Sequence, residues 1–383
     1  MPKILHTSDW HIGRLFQSHS LLDDQVVVLN QIKEIAVSEQ VDVLIVSGDI
    51  FDRAVAPAEA VDALDRFIAD FIQTVKIPIV MISGNHDSEK RIRFGSGLMS
   101  AAGLHILGDI TNVQEPVTIT TATGEVDIYG IPFHDPVSVR EKYDVDVRSY
   151  DQAHTFLVEQ VKTAVKPGRT SVLMSHCFVS GATECDSERR LSVGGSDDVS
   201  YEPMESFDYV ALGHLHAPQS KGAEHIRYSG SPLKYSFSEH AQSKSVTIVN
   251  FTEQGCEIHE ISLKPVRDLR VIEGQLDDLI EQGLSDPNKE DFIFARLTDQ
   301  EDLLEPMSRL RQSYPNTLQI ERTQYSLKPN GEGLRAKVSS GKNEQEIFAD
   351  FFKQVMDEDI NAAQSALLLD VVEQAKKEME GHE

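Results

Sequence analysis

Apolar and polar positions follow two distinct rhythms over the first 110 residues. KILHT (3–7), VDVLIVSGD (41–49) and IPIVMISGN (77–85) are short apolar runs rich in β-branched residues, each ending in polar or glycine positions. Such runs predict strands buried on both faces. Between them, LLDDQVVVLNQIKEIAVSE and PAEAVDALDRFIADFIQTV repeat apolar residues every three or four positions, the spacing of amphipathic helices, and Pro57 stands near the start of the second. This βαβαβ order implies parallel strands covered by helices. Shorter strands are predicted around 104–107, 116–121 and 126–131, and a helix over 151–165. TSVLMSH and FDYVALGH are again apolar strands, each ending in histidine. HIRYSGS, SVTIVNF and EIHEISL read as antiparallel strands that finish the domain.

The pattern changes near 264–272. QLDDLIEQG reads as a helix, DFIFARLTD as a strand, EDLLEPMSRLRQSYP as a helix and TLQIERTQY as a strand, together a compact βαβ-type unit. SLKPNGEGLRAKVSSGKNEQ is poor in large apolar residues and reads as a linker. Two apolar-striped helical segments follow, joined around 357–361. The stripe Ile347, Phe348, Phe351, Phe352 and Val355 comes after a polar linker, so it suits a partner helix better than an internal core. The boundaries expected are 1–265 for a main domain, 266–326 for a small α+β domain, 327–343 for a linker and 344–383 for a helical segment.

Composition narrows the class. At 383 residues, 40% hydrophobic and 26% charged, the chain has the profile of an ordinary soluble protein. Its apolar stretches fall short of the roughly 18 residues a membrane span needs, and the N-terminus lacks the basic and apolar regions of a secretory signal, which suggests the cytoplasm. Three cysteines without CxxC spacing suggest neither a disulfide scaffold nor a structural zinc site. The formal net charge of −26 weighs against binding phosphates by global attraction. Divalent metals bound by a carboxylate cluster would reverse that sign locally.

Five predicted strands end in residues that bind metals: Asp9 and His11 in SDWH, Asp49 and Asp52 in GDIFD, Asn85 and His86 in GNHD, His176 in MSHC, and His214 and His216 in GHLH. The carboxyl ends of strands in an α/β sheet lie along one edge, where ligands bind. Each piece alone has a bland reading, since glycine and asparagine make turns and a lone strand histidine is commonly a core group. Five in order, each at a strand tip, point to one site. A bridging carboxylate with His, Asp and Asn on either side suits two divalent cations about 3.5–4 Å apart, which lower the pKa of a shared water and neutralise phosphoryl charge. Glycines before Asp49, Asn85 and His214 let the backbone turn beside the metals.

DxH, GDxxD, GNHD, a lone His and GHxH in this order resemble the calcineurin-like metallophosphoesterases. The resemblance implies a four-layer αββα sandwich, with a small α+β capping domain and a C-terminal helical segment. TSDWHIGR, SGDIFDRA, SERRLSVGG at 187–195, LGHLHAPQ and YSGSPLKYSFSE narrow it to the bacterial nuclease subunits that work with the ATPase SbcC. Carried over, it implies Asp9, His11 and His216 on one metal, Asn85, His176 and His214 on the other, Asp49 bridging, and His86 as the catalytic histidine. Asp52 stands where archaeal and eukaryotic relatives have a second active-site histidine, which implies an orienting role. Asp87 is expected to anchor the loop or orient a histidine. Manganese is the metal implied, although the side chains alone also admit iron or zinc. The activities implied are double-strand 3′–5′ exonuclease and single-strand or hairpin endonuclease in DNA recombination, replication and break processing. The assembly implied is a nucleoid-associated homodimer within a heterotetramer. No GxxxxGK[ST] pattern occurs, so ATP falls to the partner.

Arg14, Arg91 and Arg93, with Lys90, follow ligand motifs, and Arg189 and Arg190 lie in a Gly- and Ser-rich loop; all five arginines are candidate DNA-phosphate contacts. Cys177 beside His176 reads as a small buried residue. Two alternatives remain: a small-substrate phosphodiesterase or phosphatase on the same metal core, and a non-catalytic scaffold of this fold, which would be expected to have lost ligands.

Overall fold

The computed structural model describes residues 2–121, 124–188, 197–323, 348–349, 352–353 and 359–380. The chain divides into two compact units, Met1–Arg270 with Glu290–Phe292, and Val271–Lys289 with Ile293–Glu383.

The first unit is built on two six-stranded sheets. Four strands alternate with helices at its start: β1 (Lys3–Thr7), α1 (Leu22–Ser38), β2 (Val43–Ser47), α2 (Ala58–Asp70), β3 (Ile79–Ile82) and β4 (Leu104–Ile106). These four strands are parallel to one another. The second sheet uses β5 (Val117–Thr121), β6 (Gly124–Ile131), β7 (Thr170–His176), β8 (Tyr209–Gly213), β9 (Gln219–Lys221) and β10 (Ala223–Tyr228), with helix α3 (Tyr150–Ala164) between β6 and β7. Its strand order is β9-β10-β8-β7-β6-β5. The chain then returns through β11 (Ser245–Thr252) and β12 (Gly255–Ser262) to complete the first sheet in the order β12-β11-β1-β2-β3-β4.

The period of two in each strand makes the sandwich. Ile4, Val43, Ile45, Val80 and Ile82 of the first sheet meet Val126, Ile128, Val172, Met174, Tyr209 and Ala211 of the second in one buried cluster. The intervening residues face outward to helices. Tyr129, Ile131, Leu173, Val210 and Leu212 pack with Leu157, Val158 and Val161 of α3, while α1 buries Val28, Leu29, Ile32 and Ala36. The result is a four-layer αββα sandwich.

Two expectations change. HIRYSGS supplies β10, which pairs antiparallel with β9 but parallel with β8, because the short β9 takes the edge and β10 enters from the same end as β8. The helix expected over EDLLEPMSRLRQSYP is confined to Pro306–Leu310. Pro306 has no N–H to donate and disfavours helical geometry in Glu305, whose φ is 47°, so no helix crosses that point.

A three-stranded sheet, most of it in the second unit, runs Leu269–Gly274, Phe292–Leu297, Thr317–Arg322, the last two strands parallel. The helix Leu276–Ser285 closes over it through Leu276 and Leu279, which share a core with Ile293, Ala295, Leu297, Leu310 and Tyr314. Farther along, Ala362–Glu380 is helical, and Asn361 Oδ1 accepts the backbone N–H groups of Ala363 and Gln364 at its start. Phe348 is exposed. The linker 327–343 and Ile347, Phe351 and Val355 lie outside the described residues. No described helix is long and apolar enough to cross a membrane.

Candidate metal centre

The carboxyl ends of β1, β2 and β3 in one sheet and of β7 and β8 in the other open at the same edge of the sandwich. Backbone bonds lock the first two loops together: Asp9 N–H donates to Gly48 C=O at 3.0 Å, and His11 N–H to Asp49 C=O at 2.9 Å. Asp9, His11, Asp49 and His214 all have positive φ, 54°, 45°, 50° and 109°. Non-glycine residues rarely adopt this conformation, and such strain concentrates at functional sites.

Glycines matter here less for turning than for close approach. Of the three that precede Asp49, Asn85 and His214, only Gly48, at φ 91°, needs the left-handed region. A Cβ on Gly84 would stand 2.1 Å from Asp49 Oδ1, and one on Gly213 1.8 Å from Ser47 O.

Side-chain atoms converge on two points. His11 Nε2 and His216 Nε2 are 3.1 Å apart. Asn85 Oδ1 lies 2.9 Å from His176 Nε2 and 3.1 Å from His214 Nδ1. Asp49 Oδ2 is 3.6 Å from both His11 Nε2 and His176 Nε2, between the two groups. Its other oxygen accepts the His86 N–H at 2.9 Å. Asp9 groups with His11 and His216, and also with Asp49 and His176, within reach of a single ion, and its carboxylate accepts His214 N–H. The structure thus brings together all seven of Asp9, His11, Asp49, Asn85, His176, His214 and His216.

This donor set fits divalent cations. His176 Nδ1–H donates to Ser47 C=O at 2.9 Å, so its Nε2 carries a lone pair that faces Asn85 Oδ1, two electron-rich atoms with nothing to share. His11 Nδ1 and Asn85 Nδ2 are buried without a hydrogen-bond partner. Burial pushes the Asp49 carboxyl up to about 6, and burial with the neighbouring Asp49 charge raises Asp9 well above the carboxylate range. Burial likewise lowers His176 to about 3, His216 to about 4, and His11 and His214 well below the imidazole range. Buried carboxylates beside neutral imidazoles form the site a cation completes.

His86 and Asp52 stand next to these atoms. The His86 ring is half-buried, edge-on to His11 at 4.7 Å between centroids, and its Nδ1 donates to the Asp52 backbone carbonyl at 2.9 Å. His11, Asp52 and His86 form a third group of metal-competent atoms. The Asp52 carboxylate lies 3.9 Å from His11 Nδ1 and accepts from Arg14 at 3.2 Å. Asp87 anchors the loop: its two oxygens accept the N–H groups of Ile50, Phe51 and Gly84 at 3.0, 2.9 and 2.9 Å.

Arg14 also reaches Ser187 C=O and stacks over Tyr235, while Arg93 is held by Glu89 and Asp109, both at 2.8 Å. Arg91 is exposed. Arg189 and Arg190 lie outside the described residues. Sequence reasoning missed the supports. Gln25 clamps the first loop, donating to the carbonyls of Trp10 and His11 and accepting from Gly13 N–H. Ser187, Glu188, Glu239 and Lys244 surround His216; the first three sit in the segments SERRLSVGG and YSGSPLKYSFSE, whose polar residues were the only signal.

Residues 2–218 match the family described as Calcineurin-like phosphoesterase, and residues 265–356 match the Type 5 capsule protein repressor C-terminal domain. The chain belongs to the calcineurin-like phosphoesterase family, a class of phosphoester hydrolases that use divalent metals. It is 33% identical over 366 residues to the D component of the SbcCD nuclease of Staphylococcus epidermidis, covering 95% of this chain and 96% of that protein. Among solved structures, TT1561 of Thermus thermophilus is 12% identical over 68% of this chain and 98% of its own, with a TM-score of 0.40. A dimetal phosphatase from Danio rerio is 12% identical over 69% and 99%, with a TM-score of 0.41. Likenesses this distant carry no weight for function.

Proposed function

We propose that the protein is the nuclease subunit of a DNA-processing complex, a manganese-dependent phosphodiesterase that cuts duplex DNA 3′–5′ as an exonuclease and single strands or hairpins as an endonuclease. It would act in recombination, replication and double-strand-break processing at the nucleoid, as a homodimer joined to SbcC ATPase subunits in a heterotetramer. The support is the relative named as the D component of the SbcCD nuclease, matched along nearly the whole of both chains. The observation that carries the chemistry is the position of Asp49 Oδ2, 3.6 Å from one histidine of each group.

In this reading Asp9, His11 and His216 hold one divalent cation, Asn85, His176 and His214 the other, and Asp49 reaches both. When bound, the pair supplies Lewis acidity toward phosphoryl oxygens and lowers the pKa of water. His86 is the charge-stabilising or proton-donating group at the leaving oxygen. The Asp52 carbonyl holds the His86 ring by Nδ1, leaving Nε2 to face substrate. Asp52 also ties Arg14 down, so Arg14 serves first as support. Arg14, Arg91, Arg93, Arg189 and Arg190 remain the proposed phosphate contacts, with Arg91 the exposed member among the described residues. Residues 1–265 form the nuclease domain, 266–326 the DNA-capping domain, 327–343 the linker and 344–383 the SbcC-binding segment.

Cleavage of hairpin and duplex DNA, assayed with Mn²⁺ against Mg²⁺ and with and without SbcC, tests this proposal. DNA cleavage that requires Mn²⁺ and is enhanced by SbcC is expected. Turnover of phosphomonoesters or cyclic nucleotides without DNA cleavage would replace it with a small-substrate phosphatase, and no turnover at all with a scaffold.

A further inference from the structure

The ring of His216 is held from behind by a buried network that the reaction itself does not use. Its Nδ1 lies 2.7 Å from Ser187 Oγ, and Ser187 Oγ donates to Glu239 Oε1 at 2.6 Å. A carboxylate only accepts, so the hydroxyl proton is committed to Glu239 and the oxygen accepts from His216 Nδ1–H. That fixes the tautomer with a bare Nε2, the atom 3.1 Å from His11 Nε2. Glu239 is fully buried, and its Oε2 accepts from Lys244 Nζ at 2.5 Å. Lys244, also buried, donates to the His216 carbonyl at 2.8 Å, and Glu188 Oε1 accepts the His216 N–H at 2.6 Å. Ring, carbonyl and N–H of one residue are therefore all held by these side chains.

In the second group of ligands, His176 is fixed differently. His176 takes its tautomer from a main-chain carbonyl, that of Ser47. A buried ion pair is a costly way to hold a ring, because desolvating both charges offsets much of their attraction. Its placement behind His216 implies a use.

We propose that Glu239, Lys244 and Ser187 are positioning residues that set the tautomer and direction of His216, and thereby the affinity of the cation seat made by Asp9, His11 and His216, independently of the seat made by Asn85, His176 and His214. The inference rests on the two-cation reading above. It makes the two seats unequal by construction: His216 of one is held by side chains from the 187–188 and 239–244 segments, His176 of the other by a main-chain carbonyl.

The test is a Mn²⁺ titration of the full chain by calorimetry, with binding counted by electron paramagnetic resonance, on the parent and on Ser187→Ala, Ser187→Thr and Glu239→Gln. The parent is expected to bind two ions. Ser187→Ala should weaken one of them about 10–100-fold and leave the other unchanged, and Ser187→Thr, which keeps the hydroxyl, should restore it. Glu239→Gln should act as Ser187→Ala does; since it strands the Lys244 charge and can cost the fold, Ser187→Ala with an unchanged unfolding midpoint is decisive. Two ions bound by Ser187→Ala with parental affinities overturns the proposal, whereas fewer than two ions on the parent overturns the two-cation reading itself.

Discussion

Replacing Asp87 by alanine removes a side chain that ties the loop after β3 to the loop after β2 at two backbone N–H groups. Its carboxylate accepts from Ile50 and Phe51 of one loop and from Gly84 of its own. Ile50 and Gly84 are buried, so truncation strands two buried donors, at about 1–3 kcal/mol each. The expected loss is about 2–6 kcal/mol, softened toward the lower end by relief of a buried carboxyl that burial and the Asp49 charge push up to about 7. Asparagine is no remedy, because its NH₂ would turn a donor toward a donor. Urea unfolding in EDTA isolates this from any loss of bound metal. A variant within about 0.5 kcal/mol of the parent, the spread of ordinary surface substitutions, would refute the anchoring role.

Other perturbations follow from the same geometry. His86→Gln should lower DNA cleavage by about 10²–10⁴-fold with metal content unchanged by elemental analysis; loss of metal would make His86 a ligand. Gly84→Ala should displace Asp49, which its new methyl would meet at 2.1 Å, and reduce bound Mn²⁺ below two ions per chain on the same measurement. His154 is buried with both ring nitrogens unpartnered, stacked on His134, and burial holds it at about 3 against an ordinary 6.5. The unfolded chain therefore takes up a proton first as pH falls below 6.5, so this residue's contribution to stability is whole above 6.5 and is lost between 6.5 and 3. Between pH 7 and pH 5 that amounts to about 2 kcal/mol, and His154→Phe should flatten the pH dependence of the unfolding free energy from urea titration by that amount.

The strand and helix rhythm of the first 110 residues was legible because β1, β2 and β3 are buried on both faces and each helix between them on one. The site was legible for a related reason: a parallel sheet forces strand ends to one edge, so polar residues that follow apolar runs share a place. What binds that place together was not legible. Asp87 reaches Ile50 and Phe51, 37 and 36 residues back, and Ser187 reaches Glu239, 52 residues on. No local pattern encodes such pairs. The left-handed φ values of Asp9, His11, Asp49 and His214 are likewise invisible, since none of these residues is glycine. The helix over EDLLEPMSRLRQSYP failed for a reason the sequence did carry, the proline at its centre. The parallel run of β10 depended on β9, a strand of three residues with no apolar alternation.

The most direct test of the central claim is anomalous diffraction from crystals of the full chain soaked in Mn²⁺. Two peaks about 3.5–4 Å apart, with Asp49 Oδ2 between them, Asp9, His11 and His216 on one and Asn85, His176 and His214 on the other, are the result expected. A single peak, or a peak held by His11, Asp52 and His86 instead, would contradict it.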